Sequence, residues 1–201
     1  MNQKKSIRLP LRARIAPAIL RRAKWIGFTI DPFITVSEGE SACDSKSTAY
    51  EFEYRFITRD EIPLLVNFSP NGGLKKMQSA WDDGKKCYTA WDGQRLAAKM
   101  WCDFREYNFR PNYRLLEDDE VYLYAAHTHP DYRGSNLAPE LRLRCYDSLR
   151  KLGRTRFYSV TVYYNSAARR FKEKIGARNE LLRLHISLFG RWSKTITLKK
   201  Y

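Results

Sequence analysis

Histidine and cysteine are scarce in this chain of 201 residues, which has three of the former and four of the latter. The cysteines form no C-x-x-C pair and no short, disulfide-like spacing, so we expect reduced thiols, several of them buried, as in a cytosolic protein. With so few imidazoles and thiols, no metal site is expected. The residues concerned are His127, His129, His185, Cys43, Cys87, Cys102 and Cys145.

Long apolar runs are missing as well. No stretch of about 18 apolar residues occurs, so no membrane-spanning helix is expected. The first 30 residues contain no acid and many arginines, a composition also found in organellar transit peptides, but Pro10 and Pro17 interrupt any helix there and no apolar segment suits a secretory signal. We therefore expect a cytoplasmic protein.

Acidic residues are few relative to basic ones: 22 aspartates and glutamates face 37 lysines and arginines, for a net charge of +15. The basic residues concentrate in the first 24 positions, in 142–156 and in 169–174. Such a field attracts polyanions, whether nucleic acid, anionic lipid or a nucleotide cofactor. Charge alone does not choose among them.

The chain divides by pattern into a basic N-terminal arm, residues 1–50, and a folded domain, residues 51–201. The arm carries scattered apolar residues among arginines and ends in a small, polar stretch at 37–48 that resembles a linker. It could pack across the domain, stay partly disordered, or form a short basic amphipathic helix on anionic lipid or a partner.

Periodicity predicts a mixed α/β domain in the remainder. The alternation of Phe52, Tyr54 and Phe56 indicates a strand, Thr58 and Glu61 form a capping box that predicts a helix from about residue 59, and an Asp-Gly pair indicates a hairpin. The further predicted elements are a helix at 74–81, hairpin strands at 87–91 and 95–102, a strand at 121–128, a helix at 137–152, a central strand at 157–164, a helix at 165–175 and a final hairpin at 181–189 and 192–198.

One turn in this series has the features of a phosphate site. The strand at 121–128 leads through small residues into a helix, and amides at a helix start bind phosphate with the help of the helix dipole. Small side chains let phosphate approach the backbone. The residues are Thr128, Arg133, Gly134, Ser135, Asn136, Leu137 and Ala138.

These residues resemble the hallmark of the GNAT superfamily of acyl-CoA N-acyltransferases, Gln/Arg-x-x-Gly-x-Gly/Ala. Asn136 occupies a glycine position of this hallmark, where asparagine tolerates left-handed backbone angles, and Pro139 removes one amide. A second family element, which begins at Asn165 and continues from Phe171 to Ala177, follows the next strand. The resemblance covers about residues 51–198. It implies a central, mostly antiparallel mixed sheet flanked by helices, with its middle strands splayed apart.

The resemblance also implies a reaction: direct acyl transfer from a thioester, acetyl-CoA or another acyl-CoA, to an amine of a small molecule. It assigns the donor to the seven turn residues together with Asn165 and Phe171. It implies that a backbone amide at His127 or Thr128 polarises the carbonyl. Lys172 stands where the family commonly has a tyrosine that protonates the leaving thiolate.

Catalytic roles remain open between three residues. No acid lies between Val121 and Pro130, so His127 is the candidate base, since imidazole is neutral near pH 7. Lys172 and Tyr164 are the candidates for the leaving-group step. An ordinary strand histidine with a satisfied hydrogen bond is the alternative interpretation of His127.

Two other functions are compatible with these observations. The donor could be an acyl carrier protein, because a basic surface suits an acidic carrier. Alternatively, the chain could be a catalytically degenerate GNAT fold that binds nucleic acid or an anionic surface, in part through its basic arm. The sequence does not indicate the acceptor, the acyl chain length or the oligomeric state.

Overall fold

The computed structural model describes residues 27–39, 51–68, 73–109 and 113–201. Ten strands and three α-helices follow one another in the described ranges. The strands are β1 Phe28–Glu38, β2 Glu53–Phe56, β3 Lys86–Asp92, β4 Arg95–Asp103, β5 Glu106–Tyr107, β6 Arg114–Leu115, β7 Glu120–Thr128, β8 Arg156–Val162, β9 Arg178–Leu188 and β10 Trp192–Lys200. The helices are α1 Leu74–Asp82, α2 Leu137–Arg150 and α3 Ser166–Lys174, and a 3₁₀ helix covers Arg59–Phe68.

Eight of these strands form one sheet in the order β10-β9-β1-β8-β7-β4-β3-β2. Only β7 and β8 run parallel among the neighbouring pairs of this sheet. The expected mixed, mostly antiparallel sheet is therefore confirmed. Helices cover both faces: α2 packs on one hydrophobic cluster, and the 3₁₀ helix and α1 pack on the other.

The two parallel strands separate part-way along their length. Their pairing ends at Tyr122 and Tyr158, although β7 continues to Thr128 and β8 to Val162. On its other side, β7 carries a bulge: Trp101 pairs with Tyr124 and Lys99 with His127, so three steps on β7 match two on β4. Ala125, inside the bulge, has φ 49°. We call the gap beyond Tyr122 and Tyr158 the fork; it confirms the splayed middle strands.

The predicted arm boundary at residue 50 is wrong. β1 lies within the stretch assigned to the arm, yet it is an interior strand of the sheet, paired with both β8 and β9. Phe33, Ile34 and Val36 are buried in it, so the hydrophobic core itself requires this segment. The domain therefore includes Phe28–Glu38. Residues 1–26 and 40–50, with the predicted basic helix and most of the linker, lie outside the described residues.

Most other predicted elements are confirmed to within a few residues. Glu61 Oε2 accepts the Thr58 amide at 2.8 Å, which is one half of the predicted capping box, although the helix it caps is 3₁₀. Pro63 inside that helix removes an amide donor, which disfavours a regular α-helix. The Asp92-Gly93 hairpin and the Gly176 helix end are present, with φ 56° and 66° at the two glycines.

Three cysteines, Cys87, Cys102 and Cys145, are free and buried as expected, while Cys43 is outside the described residues. No cluster of three or more potential metal ligands occurs in the described part of the chain, and no helix described there could span a membrane.

Candidate functional site

The turn between β7 and α2 takes the backbone shape that its sequence predicts. Gly134 has φ 87°, and Asn136, the N-cap of α2, has φ 68° and ψ 11°, which is the left-handed conformation. Asparagine therefore replaces a glycine of the hallmark without abolishing the turn.

Two backbone donors at the start of α2 have no acceptor inside the helix. The amides of Leu137 and Ala138 belong to its first turn, and the first four amides of any helix lack an intrahelical partner. Pro139 contributes no amide, and the Glu140 amide bonds to the Asn136 carbonyl at 3.3 Å. Earlier in the turn, the Arg133 and Ser135 amides bond to the carbonyls of Pro130 and Tyr132. The amides of Leu137 and Ala138 are therefore available to bind an anion.

A cleft of about 460 Å³ opens between this turn and α3. Of the residues predicted to bind the donor, it brings together all except Ser135, whose hydroxyl donates to the Tyr132 carbonyl at 2.7 Å, and Asn165, which caps α3 by accepting the Ala168 amide at 3.0 Å. We call it the α2–α3 cleft. Its walls are Thr128, Tyr132, Arg133, Gly134, Asn136, Leu137, Ala138, Pro139, Ala167, Arg170, Phe171 and Lys174.

Three cationic side chains line this cleft. Arg170 and Lys174, four residues apart on α3, present their charges on one helix face, and Arg133 approaches from the turn. Lys174 Nζ also donates to Asn136 Oδ1 at 3.2 Å, and Arg133 Nε donates to the Thr128 carbonyl at 3.3 Å. The cleft thus combines helix-start amides with positive side-chain charge, and both kinds of group bind phosphate.

The ladder between β4 and β7 decides which strand amide faces the fork. The His129 amide donates to the Ala97 carbonyl at 2.9 Å, and Lys99 pairs with His127 in the same register. In an antiparallel ladder alternate residues donate to the same neighbour, so the amide of Thr128 points away from β4. Of the two predicted carbonyl-polarising amides, the one at Thr128 therefore faces the fork.

His127 is half-buried on the face of the sheet that carries the 3₁₀ helix, and its ring meets Phe68 edge-on at 5.3 Å. Burial, together with the charges of Lys99, Arg133 and His129, lowers the pKa of His127 below its usual value. This imidazole is accordingly neutral near pH 7, as a general base must be.

The other two predicted catalytic residues have different surroundings. Lys172 is buried and donates to the Glu38 carboxylate and to Ser159 Oγ. Burial lowers its pKa to about 8, although Glu38 opposes that shift. Tyr164 is exposed, stacks edge-on against Tyr163 at 5.6 Å and does not line the α2–α3 cleft. Neither His127 nor Lys172 lines that cleft either, so the structure places none of the three predicted catalytic residues in its walls.

Residues 54–177, more than half of the chain, match the sequence model of the acetyltransferase (GNAT) family. The chain belongs to the GNAT family. Membership of this family supports an acyl-CoA as the acyl donor, as the sequence resemblance implies. A comparison with curated proteins finds no match.

Solved structures share the GNAT fold at low identity. A Drosophila protein is 14% identical, with TM-score 0.58 over 92% of this chain and 60% of its own. An acetyltransferase assigned to the GNAT family from Novosphingobium aromaticivorans is 18% identical, with TM-score 0.56 over 81% of this chain and 66% of its own. The ribosomal-protein-S18-alanine N-acetyltransferase from Escherichia coli is 17% identical, with TM-score 0.51 over 63% and 77%. The chain thus spans less than two thirds of the first two proteins, and these likenesses establish the fold.

Sequence analysis missed two features of this GNAT site. Glu38 lies in the predicted linker, 134 residues from Lys172, and nothing local marks it as a partner for a buried lysine. Lys99 is 1% exposed and pairs with His127 on the neighbouring strand. Its place in the sequence of a hairpin strand does not indicate that it is buried or that it lies beside a histidine. By contrast, the i,i+4 spacing of Arg170 and Lys174 could have identified them as neighbours on one helix face.

Proposed function

We propose that this protein is an acyl-CoA-dependent N-acyltransferase, in its simplest form an N-acetyltransferase, that acts on the amine of a small molecule by direct transfer. The observation that supports this most is the continuity of the α2–α3 cleft: it reaches from the free amides of Leu137 and Ala138 to Thr128 beside the fork. The amides of Leu137 and Ala138 would suit a phosphate at one end of the cleft, and the amide of Thr128 would suit a thioester carbonyl at the other.

The residues of the cleft fit a CoA-type donor. The helix-start amides and the charges of Arg133, Arg170 and Lys174 would hold phosphate oxygens. Ala138, Phe171 and Leu137 supply apolar wall for the arm that joins phosphate to thioester. When bound, the donor supplies the activated acyl group.

We assign three steps to the chain's own groups. The Thr128 amide would polarise the thioester carbonyl from the fork. His127, kept neutral by its surroundings, would take a proton from the acceptor amine. Lys172 would protonate the departing sulfur, and its pKa of about 8 leaves it mostly protonated near neutral pH. Lys172 is buried next to Phe171, which lines the cleft, whereas Tyr164 is exposed, and this favours Lys172 over the tyrosine for this step.

A carrier protein is the alternative donor. Pro139 removes one helix-start amide, Asn136 stands where the family hallmark has a glycine, and an acidic carrier would suit a net charge of +15. A nucleic-acid or anionic-surface module is the alternative from another class, and we expect from it steeply salt-dependent binding to any duplex without thioester turnover. We further propose that the protein is cytoplasmic.

The test begins with the donor, because it does not need the acceptor. Thermal unfolding with and without CoA is compared for the wild type, for Arg133→Glu, and for Arg191→Glu as a control with the same charge change in the remote β9–β10 turn. We expect CoA to stabilise the wild type and the control, and Arg133→Glu to lose most of that stabilisation.

Turnover is then measured as free thiol released from acetyl-CoA over a panel of small amines and peptide amino termini. The peptides are included because one structural neighbour is named for an alanine of a ribosomal protein. Equal stabilisation and turnover in Arg133→Glu and the wild type would remove the proposed phosphate site. Turnover only from a carrier-bound thioester would instead favour the alternative donor.

A further inference from the structure

Five side chains from four elements meet in the core beside the fork. Glu38 of β1 accepts hydrogen bonds from Tyr146 of α2, Ser159 of β8 and Lys172 of α3, and Arg142 Nε lies 3.5 Å from its Oε2 atom. All five residues are buried. We call this group the Glu38 cluster.

The Glu38 cluster carries an uncompensated positive charge. It holds two cations, Arg142 and Lys172, and one carboxylate, whose pKa is lowered to about 2 by both cations against the effect of burial. Within the described residues no second carboxylate lies within 4.0 Å of either cation. Moreover, Nε and Nη1 of Arg142 are buried with no hydrogen-bond partner in that part of the chain. Two buried cations that share one carboxylate are only partly compensated, so the Glu38 cluster would stabilise an anion that forms next to it.

The position of the Glu38 cluster indicates which anion. Ser159 directly follows Tyr158, the last residue of β8 that pairs with β7, so Lys172 Nζ lies where the fork begins. Phe171 lines the α2–α3 cleft, and its ring centroid is 5.5 Å from the guanidinium of Arg142 and 5.4 Å from Lys172 Nζ. The cluster and the cleft therefore share one wall. The anion that forms at this place in the proposed reaction is a thiolate.

We infer that Glu38 is a positioning residue that holds Lys172 at the start of the fork, and that Lys172 and Arg142 together form the site for the departing thiolate. This inference rests on the proposed function. As the C–S bond breaks, its electron pair stays on sulfur, and sulfur takes a proton from the Lys172 ammonium. The amine of Lys172 regains a proton from solvent, while the proton lost by the acceptor leaves through His127. Arg142 keeps its charge throughout.

A buried Glu38–Lys172 ion pair could be purely structural, so the experiment must measure a property of the CoA sulfur itself. The ultraviolet absorbance of the thiolate gives the pKa of the CoA thiol when it is bound, without any acceptor. We expect the pKa of the bound thiol to lie about 1–3 units below that of free CoA. Lys172→Met should move it back toward the free value. Glu38→Gln should do the same by releasing Lys172 and lowering the pKa of its ammonium, whereas loss of the carboxylate charge alone would move the thiol pKa further down.

Glu120→Gln is the matched control. Glu120 is also a buried carboxylate in an ion pair, with Arg114 and Arg156, but it lies at the paired end of β7 and β8, away from the fork. Its replacement should leave the titration of bound thiol unchanged. Should Glu38→Gln not fold, Glu38→Asp keeps the charge and withdraws it by one methylene, and Lys172→Tyr restores the residue type of the family pattern.

The pH dependence of turnover provides a second, independent readout. The titratable and polar groups packed around Lys172 are Glu38, Arg142, Tyr146 and Ser159. On its own helix, Arg169 and Glu173 line the same small cavity as Lys172. An acid must be protonated to act, so wild-type activity should fall as pH rises through about 8. Glu38→Gln and Glu38→Asp should move that fall to lower pH, and Lys172→Tyr to higher pH.

The outcomes distinguish a failure of the proposed function from a failure of the thiolate site. If wild-type protein does not bind CoA, the proposed function itself fails. If CoA binds but its thiol titrates as in free solution, or titrates identically in wild type, Lys172→Met and a folded Glu38 variant, the inference is overturned and the proposed function stands.

Discussion

Lys99 on β4 lies directly opposite His127 on β7, with both side chains on the face of the sheet that the 3₁₀ helix covers. Lys99 is 1% exposed, and burial lowers its own pKa. Its charge, with those of Arg133 and His129, lowers the pKa of His127, and Phe68 adds an apolar wall. Every charged neighbour that shifts this imidazole therefore favours its neutral form.

Lys99→Met should raise the pKa of His127. The sign follows because removing a nearby positive charge makes the protonated ring less unfavourable. If His127 is the base, the acid limb of the pH–rate profile should move to higher pH by the same amount. NMR titration of the histidine ring protons, assigned with His127→Asn, measures the pKa directly.

Lys86→Met is the matched control, because Lys86 stacks on Trp81 at 3.9 Å and does not contribute to the His127 shift. A pKa of His127 that is the same in Lys99→Met and in the wild type would contradict the electrostatic coupling across the two strands. A shifted pKa with an unmoved acid limb would remove His127 as the base.

Asn136 is the position where backbone geometry and donor binding meet. Its left-handed conformation is accessible to glycine and strained for a β-branched residue. We expect Asn136→Gly to keep the fold and CoA binding, and Asn136→Val to lose about 1–2 kcal/mol of unfolding free energy together with CoA affinity. Denaturant unfolding and calorimetric titration with CoA measure the two quantities. Equal stability of the two variants would show that the turn does not require this conformation.

Arg170 and Lys174 should contribute to affinity for phosphate and not to affinity for the pantetheine arm. A hydrogen bond to a charged group is worth about 1.5 kcal/mol, so Arg170→Ala should weaken CoA binding about tenfold. Binding of pantetheine, which lacks the phosphates, should be unchanged, and the difference should shrink at high salt. Arg154→Ala, on the loop after α2, serves as the control. Equal losses for CoA and pantetheine would mean that Arg170 shapes the cleft without binding phosphate.

The sequence predicts local elements of this fold well and long-range relationships poorly. The hairpin at Asp92-Gly93, the turn at Asn136 and the end of α3 at Gly176 are each determined by one or two residues with distinctive backbone preferences. β1 was missed because Pro32 and the adjoining polar stretch obscure its pattern, and because its partners, β8 and β9, come more than 110 residues later.

The candidate site divides in the same way. The α2–α3 cleft is formed by two short segments with recognisable motifs, so most of its residues were predictable. The bulge at Ala125 and the burial of Lys99 and Glu38 are consequences of strand pairing and packing across the whole domain. A buried charge has the same residue type as an exposed one, so its role becomes visible only when its partners are placed around it.

Glu38 should also make stability depend on pH in a defined window. Its pKa is lowered from 4.5 to about 2 in the folded protein, so its stabilising contribution is complete above pH 4.5 and is lost as pH falls to about 2. Breaking a buried ion pair by removing one partner costs about 3–5 kcal/mol. Denaturant unfolding should therefore show Glu38→Gln less stable than the wild type by about this amount at pH 7. The difference in unfolding free energy between wild type and Glu38→Gln should narrow as pH falls from 4.5 to about 2, because protonated glutamic acid resembles glutamine.

Glu51→Gln, at an exposed glutamate, is the control and should show little difference from the wild type at any of these pH values. A gap between wild type and Glu38→Gln that stays constant down to pH 2 would mean that the charge of Glu38 does not hold β1 to α2 and α3.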